Sequence, residues 1–209
     1  MGDDGSNTLR NILRAGKAEF LRKGFRAASL RSIAREAEVT TGAFYGYFKS
    51  KEDLFDAIVK EHADYFTDRF KECMSEFRSL SPDGQKEAMG RTSGQWMLQI
   101  LDYIYDHFDA FRMLIGCAEG TRYENFIHQI VEIEVEGTHD FIEVMRGAGE
   151  AIRPVDPQLE HILISGMFSA YFEIVLHEMP KAQAQEYVRE LHAFQLAGWE
   201  KILGLGGRS

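Results

Sequence analysis

The sequence predicts an all-α fold. Apolar residues recur at helical spacing in nearly every segment, and almost no stretch shows the alternation that is typical of a strand. Serine, threonine or proline stands just before or at the start of several of these segments, where helix N-termini favour them. Hydrophobic residues make up 44% of the 209 residues, which is ample for a packed core.

Three helices are predicted within the first 50 residues. The first carries an apolar stripe with Gly16 near its middle, where a neighbour can approach closely, and it stops near Gly24. Ser29 caps a short second helix. Its inward face has the spacing i, i+3, i+4 and i+7: Leu30, Ile33, Ala34 and Ala37. Thr40 caps the third helix, which holds the segment TTGAFYGYF at residues 40–48.

Six further helices follow. The capping box Ser50-Lys51-Glu52-Asp53 starts a long fourth helix that runs to about residue 79 and ends at the turn Ser81-Pro82-Asp83-Gly84. The remaining periodic segments predict helices near 86–106, 108–117, 121–147, 157–178 and 181–203.

The third predicted helix has two unlike faces. At about 100° per residue, Phe44 and Phe48 share one face. The small residues fall on the opposite face: Gly42, Ala43 and Gly46. Tyr45 and Tyr47 flank that bare strip, so the helix could enter a DNA major groove closely. The alternative is that the tyrosines pack on a neighbouring helix and the glycines are only tolerated.

Charge is unevenly spread along the chain. The formal net charge is −9, yet residues 8–51 carry 10 Lys and Arg against 3 Asp and Glu. A basic head on an acidic body can bind phosphates locally. A chance cluster of solvated charges would give the same count.

Four motifs occur in a fixed order over residues 12–55. They are Gly24-Phe25, Ser29-Leu30-Arg31-Ser32-Ile33-Ala34, Val39-Thr40-Thr41-Gly42, and the run from Phe44 to Phe55. In order and spacing this stretch resembles the helix-turn-helix of the tetracycline-repressor (TetR) family of transcriptional regulators. The rest of the chain agrees with that family in length, helicity and layout.

The resemblance implies a helix-turn-helix DNA-binding domain at residues 1–52 and a helical ligand-binding and dimerisation domain at residues 53–209. It implies DNA contacts from these residues: Ser29, Arg31, Thr40, Thr41, Gly42, Ala43, Tyr45, Tyr47 and Lys51. Two positions depart from the family pattern. Glu38 stands where the turn often has glycine, and Tyr47 stands where histidine is frequent.

The expected function is a repressor that binds a palindromic operator as a homodimer and is released by a small apolar or aromatic effector. Small residues on the last two helices predict the dimer contact: Ser165, Gly166, Ser169, Ala170, Ala193, Ala197 and Gly198. Packing within one protomer is the alternative for them. The effector is expected at these residues, each of which could instead be ordinary core: Trp96, Tyr103, Phe111, Cys117, Phe126, Met167 and Tyr171.

Catalysis, cofactors and metals are not expected. The sequence has no P-loop, nucleophile elbow, HExxH or complete dinucleotide fingerprint. His128 with Glu132, and His139 with Glu143, have i, i+4 spacing, but no third ligand is evident. The rival function is a helical small-molecule carrier or protein-interaction adaptor that does not bind DNA.

A cytoplasmic location without a membrane partner is expected. No apolar run reaches the roughly 18 residues that a membrane span needs, and the first eight residues lack the pattern of a signal peptide. Cys73 and Cys117 are far apart and indicate no disulfide framework.

Overall fold

The structure, a computed structural model, describes residues 3–205, with the side chains of Asp3 and Asp4 left out. Within that range the chain is all-α and contains no strand. The helices are α1 (Asp3–Ala27), α2 (Leu30–Glu36), α3 (Thr41–Tyr45), α4 (Lys51–Arg78), α5 (Pro82–Asp106), α6 (Phe108–Gly116), α7 (Phe126–Gly147), α8 (Pro157–Leu176) and α9 (Lys181–Leu203). The predicted fold class is confirmed.

Helix boundaries differ from the sequence prediction at several places. Helix α1 continues to Ala27 beyond a kink at Gly24, where φ is 73°, and α8 ends at Leu176 rather than near residue 178. Helix α3 is only five residues long, because residues 46 and 47 form a turn before Phe48. Helix α5 begins earlier than predicted, at Pro82, where proline is tolerated because its missing N–H would be unpaired anyway. Helix α7 begins later, at Phe126, because Gly120 has a φ of 85° within the preceding turn.

The chain divides into two compact units. The first comprises the chain up to Tyr65 together with His107–Phe126; the second comprises Phe66–Asp106 and the chain from Ile127 onward. The sequence-based division at residue 52 stays a prediction about domains. Helix α6 and the loop after it were assigned to the body by that division, whereas their contacts group them with the first unit.

Aromatic rings and one glycine hold the first unit together. The ring of Phe55 on α4 meets Phe20 and Phe25 edge-on, with centroids 5.1 and 5.5 Å apart. A Cβ added at Gly16 would lie 2.6 Å from Leu54 Cδ2, so α1 and α4 approach closely only because residue 16 is glycine. The close approach predicted at Gly16 is confirmed.

Helix α6 and the following loop pack on α1 and on the start of α4. Lys17 forms an ion pair with Asp109 on α6 at 3.1 Å, and the Phe25 amide donates to the Cys117 carbonyl at 2.9 Å. The Tyr123 hydroxyl donates to Asp56 on α4 at 2.6 Å. These contacts explain why residues 107–126 belong to the first unit.

The second unit is built around α5, α8 and α9. Glycines again permit close packing: a Cβ at Gly90 would lie 2.5 Å from Leu196 of α9, and one at Gly94 would lie 3.0 Å from the His192 ring. Helix α8 supplies core residues such as Phe168 and Phe172. Its 20 residues, with mean hydropathy 1.4 in the most apolar window, would by length and composition permit a membrane span, a property that core helices share.

Candidate DNA-binding surface and ligand cavity

Side-chain caps fix the starts of α2 and α3. The Ser29 hydroxyl accepts from the Ser32 amide at 3.4 Å, and the Thr40 hydroxyl accepts from the Ala43 amide at 3.0 Å. Each cap satisfies an amide that has no partner inside its helix. Between the helices, Glu38 has a φ of 58°, the left-handed conformation in which glycine would be at ease.

Helix α3 presents the two faces that the sequence predicts. Phe44 is fully buried and Phe48 is 9% exposed. The opposite face is open to solvent: Thr41, Gly42, Ala43 and Gly46. Tyr45 is 52% exposed and Tyr47 is 40% exposed; the Tyr47 hydroxyl donates to the Gly5 carbonyl at 3.4 Å. The alternative, in which the tyrosines pack on a neighbouring helix, is therefore met in part by Tyr47, which contacts α1, whereas the Tyr45 ring is mostly exposed.

The protein itself does not require glycine at position 42. A Cβ added there would meet nothing closer than the Thr40 hydroxyl, at 3.8 Å, and the backbone φ is not left-handed. The bare spot on α3 therefore faces outward, where it would allow close approach by another molecule. Arg31 on α2 is also exposed, so its guanidinium is accessible.

Lys51 lies at the start of α4 but is turned inward. Its ammonium donates to the carbonyls of Phe25, Arg26 and Ala28 at 2.6, 3.2 and 3.1 Å, and it stands 4.4 Å from the centre of the Phe25 ring. Burial lowers the pKa of Lys51. Since an ammonium has three donors, all three are used inside the first unit, and the side chain serves α1 rather than an outside phosphate.

Glu19 is a buried carboxylate that the sequence analysis missed. It is 1% exposed and accepts from the Ser29 amide at 3.1 Å and from Lys23 at 2.9 Å, with Arg22 also in contact. Burial raises the pKa of Glu19, but these hydrogen bonds outweigh burial and leave the pKa below its usual value. Glu19 thereby ties α1 to the start of α2. The sequence feature that could have identified Glu19 is its position as an acidic residue beside the apolar stripe of the first helix.

The second unit contains a cavity of about 170 Å³. Its wall comes from α4, α5, α7, α8 and α9 and includes seven aromatic and four methionine side chains, among them Phe70, Trp96, Met167 and Trp199. An apolar cavity of about 150 Å³ is known to hold benzene, so this one has room for a small aromatic molecule. Methionines adapt their shape, which would allow a somewhat larger occupant.

Three of the predicted effector residues line this cavity: Trp96, Met167 and Tyr171. The Tyr171 hydroxyl donates to the Met97 carbonyl at 2.9 Å, which holds that ring in place. Four do not belong to the lining set: Tyr103, Phe111, Cys117 and Phe126. The last three lie in the first unit, because α6 and its loop pack on α1 and α4. The segment around Cys117 contacts α1 instead, through the Cys117 carbonyl and the Arg26–Glu119 ion pair.

Two polar residues on the cavity wall were missed by the sequence analysis. Glu134 of α7 lines the cavity, and burial raises its pKa to about 7. His192 of α9 bonds to the Ser93 hydroxyl at 2.9 Å, and burial lowers its pKa. Glu134 lies on the same face of α7 as Phe141. An acidic residue within an apolar helix face was therefore the sequence feature that could have identified it.

Three side chains from two helices could hold a metal ion. The ligand atoms of His128, Glu132 and His161 lie within 4.8 Å of one another. The third ligand, absent from the sequence reasoning, comes from α8. In a tetrahedral zinc site the ligand atoms are roughly 3.3 Å apart, so these side chains would have to move to coordinate an ion. His139 pairs with buried Glu160 at 2.6 Å rather than with Glu143.

An apolar face on α8 and α9 is uncovered within the protomer. Ile162 is 64% exposed, Tyr187 is 57% exposed and Phe194 is 74% exposed. A Cβ added at Gly166 or Gly198 would meet no atom within 4 Å. The small residues predicted for the dimer contact therefore include two glycines at which an added Cβ would touch no atom of residues 3–205.

The head of the chain matches a known family. Residues 12–58 match the family model described as bacterial regulatory proteins, tetR family. Over 68 residues the chain is 32% identical to the HTH-type transcriptional repressor NemR of Escherichia coli (strain K12), a match that covers 32% of this chain and 34% of NemR. The chain matches only about a third of the length of such curated relatives.

Solved structures show the same fold along most of the chain. A TetR-family transcriptional regulator from Bordetella parapertussis 12822 superposes with a TM-score of 0.60 at 19% identity, over 92% of this chain and 95% of that one. The regulator FadR of Bacillus subtilis, solved in complex with stearoyl-CoA, superposes with a TM-score of 0.54 at 17% identity, over 88% and 97%.

The fold and the exposed α2–α3 surface define the class: an all-α protein with an N-terminal helix-turn-helix of the kind that the tetR family model describes. Residues 12–58 are similar in sequence to the tetR family model, and the described chain has the fold of the TetR-family regulator from Bordetella parapertussis.

Proposed function

We propose that the protein is a repressor that binds a palindromic operator as a homodimer in the cytoplasm. The observation that carries this proposal is the outer face of α3, where Gly42 and Ala43 lie bare between exposed tyrosines while Phe44 anchors the helix from below. Such a helix can lie close to base edges in a major groove. The repressor NemR, similar in its head, supports the direction of regulation.

The proposed DNA contacts follow from exposure. Arg31, Thr41, Tyr45 and Tyr47 are accessible and suit phosphates or base edges, and Thr40 and Ser29 act first as helix caps. Lys51 is left out of this set, because its three donors are used within the first unit.

The proposed dimer uses the exposed face of α8 and α9. One recognition helix contacts too few bases to select a genomic site, so two are needed about 34 Å apart, one DNA turn. Ile162, Tyr187 and Phe194 supply apolar area that a second copy would bury, and Gly166 and Gly198 allow close helix packing.

The proposed effector site is the cavity of the second unit. An effector that binds one arrangement of the protein better than another shifts the population towards it and changes the spacing of the recognition helices. Helix α4 contributes to both units and is the proposed lever. A stearoyl chain, as held by FadR, is much larger than 170 Å³, which favours a smaller ligand here.

The test is selection of bound duplexes followed by gel shift over a range of salt. A repressor of this kind enriches a palindrome and loses affinity steeply as salt rises, by about one log unit per log salt for each phosphate neutralised. Arg31→Ala should weaken all duplexes, whereas Thr41→Val should change the selected sequence. Arg189→Ala, which removes the same charge from exposed α9, is the matched control.

A flat salt response without an enriched sequence would reject DNA binding. It would favour the rival function, a helical carrier or an adaptor for another protein. If Thr41→Val selected the same DNA sequence as the unchanged protein, only the assignment of Thr41 to base readout would be rejected.

A further inference from the structure

An acidic side chain stands on the wall of an otherwise mainly apolar cavity. Glu134, Gly137, Thr138 and Phe141 all line the cavity, and they follow one another on α7 at spacing i, i+3, i+4 and i+7. The inward stripe of a packed helix is normally apolar. A carboxylate there is costly to bury unless an opposite charge or a hydrogen-bond donor balances it.

The described part of the protein supplies no such balance. No lysine or arginine is among the residues that line the cavity. Glu134 is half-buried, and this burial raises its pKa to about 7, with no hydrogen-bond donor or cation opposing the shift. Because its negative charge has no partner, the Glu134 carboxylate takes up a proton near neutral pH.

The remaining wall suits a positive charge on an apolar body. Trp96 packs against Phe70 with ring centroids 4.9 Å apart, and Phe168 and Trp199 also line the cavity. Aromatic faces attract cations, most strongly where water is excluded.

We propose that the cavity binds a lipophilic monocation, such as a quaternary or protonated amine on an aromatic body, with Glu134 as its counter-ion. This inference rests on the proposed role of the cavity as the effector site, and it adds the charge of the ligand.

The proposal requires a pH dependence of a definite sign. A bound cation stabilises the carboxylate, so binding below pH 7 must expel the Glu134 proton. With a free-state pKa of about 7, the ionised fraction of Glu134 falls about tenfold from pH 8 to pH 6, and cation affinity should fall with it.

Other titratable groups on the wall do not produce this dependence. Burial raises the pKa of Cys73 on α4 to about 11, and it raises the pKa of Tyr171 on α8 well above its usual value, so both stay neutral. Burial lowers the pKa of His192 on α9, which keeps that ring neutral at pH 7. The lining residues of α5 include no titratable side chain.

The experiment uses two probes of the same shape: phenyltrimethylammonium, whose charge does not titrate, and the neutral tert-butylbenzene. Calorimetric titration of the full chain at pH 8 should show the cation binding at least tenfold more tightly than the neutral probe. At pH 6 cation affinity should be about tenfold weaker, and neutral-probe affinity should not change.

Glu134→Gln keeps the shape of the side chain and removes its charge. In this variant the preference for the cation and the pH dependence should both disappear, while the neutral probe binds as before. Glu143→Gln, which removes the same charge from an exposed position of α7 outside the cavity, is the matched control and should keep both. Circular dichroism of each variant verifies folding, and retained binding of the neutral probe verifies the cavity.

The outcomes separate this proposal from the proposed function. Equal affinity for both probes, or an unchanged cation preference in Glu134→Gln, overturns the cation proposal and leaves the cavity as a binding site for neutral ligands. If neither probe binds the folded protein, the cavity fails as a site for this class of ligand. DNA binding, measured separately, remains the test of the regulator itself.

Discussion

Replacing Gly42 with alanine should separate folding from DNA recognition. Position 42 lies in the first turn of α3, is exposed, and has open space for a Cβ, with the nearest atom at 3.8 Å. Alanine is favoured over glycine within helices by roughly 0.5–1 kcal/mol. Because the site is near a helix end, we expect about 0.5 kcal/mol of added stability, or a Tm higher by roughly 1–2 °C for a chain of this size.

DNA affinity should change in the opposite direction. The added methyl group projects from the face that we propose lies against base edges, so the helix must withdraw on the order of 1 Å. Each good base contact is worth about 1–3 kcal/mol, so the loss of one corresponds to roughly a 5- to 150-fold rise in Kd. Fluorescence anisotropy with a selected duplex measures this change, and thermal melting measures stability.

Gly147→Ala is the matched control for Gly42→Ala. Gly147 is exposed at the end of α7 and also has open space for a Cβ, with no atom within 4 Å, but it lies outside the proposed DNA surface. Its Kd for DNA should not change. If Gly42→Ala bound the duplex as tightly as the unchanged protein, the bare face of α3 would not be the surface that approaches DNA.

Four other substitutions test the roles assigned above. Glu38→Gly should raise stability by up to about 1 kcal/mol, because residue 38 has a left-handed φ of 58°; an unchanged Tm would show that this turn holds no strain. Lys51→Met should lower stability by about 1–3 kcal/mol by leaving buried carbonyls unpaired, and it should not reduce the salt slope of DNA binding, as loss of a phosphate contact would. Ile162→Glu should convert dimers into monomers in light scattering, whereas Leu80→Glu, at another exposed apolar position, should not; dimers in both would place the interface elsewhere. Glu19→Gln should lower the free energy of unfolding at pH 7, measured by urea titration, but should have little effect near pH 3. Folding lowers the pKa of Glu19, so its carboxylate stabilises the protein above the unfolded pKa of about 4.3, and this stabilisation is lost as pH falls. An equal loss of stability at both pH values would contradict this assignment.

Local features of the fold could be predicted well. Helical periodicity alone placed Phe44 inward and Gly42 outward, because the direction of each side chain repeats every 3.6 residues. Gly16 was expected to allow close approach, and Leu54 does approach it. The two faces of α3 depend on residues that are near in sequence. At Gly16 the sequence indicated only that a neighbour could approach closely, and not that this neighbour is Leu54 of α4.

Features that depend on long-range packing could not be predicted. Phe111 and Cys117 looked like cavity residues by composition, but α6 packs with the first unit, which its own sequence does not indicate. The inward turn of Lys51 depends on carbonyls more than 20 residues away. His161 completes a cluster on α7 only through the packing of α8. The sequence shows an acidic residue at position 134, but only the structure shows that Glu134 lies on the wall of the cavity.

The contacts of Lys51 have a consequence for how regulation and recognition can evolve. One ammonium joins the first turn of α4 to the end of α1, and one carboxylate, that of Glu19, joins α1 to α2. A shift at the start of α4 would therefore carry α1 and α2 with it, so the proposed DNA-binding surface would move with α4 instead of changing shape. Under the proposed function, the ligand of the cavity could then change in evolution while the DNA sequence bound by α3 stays the same.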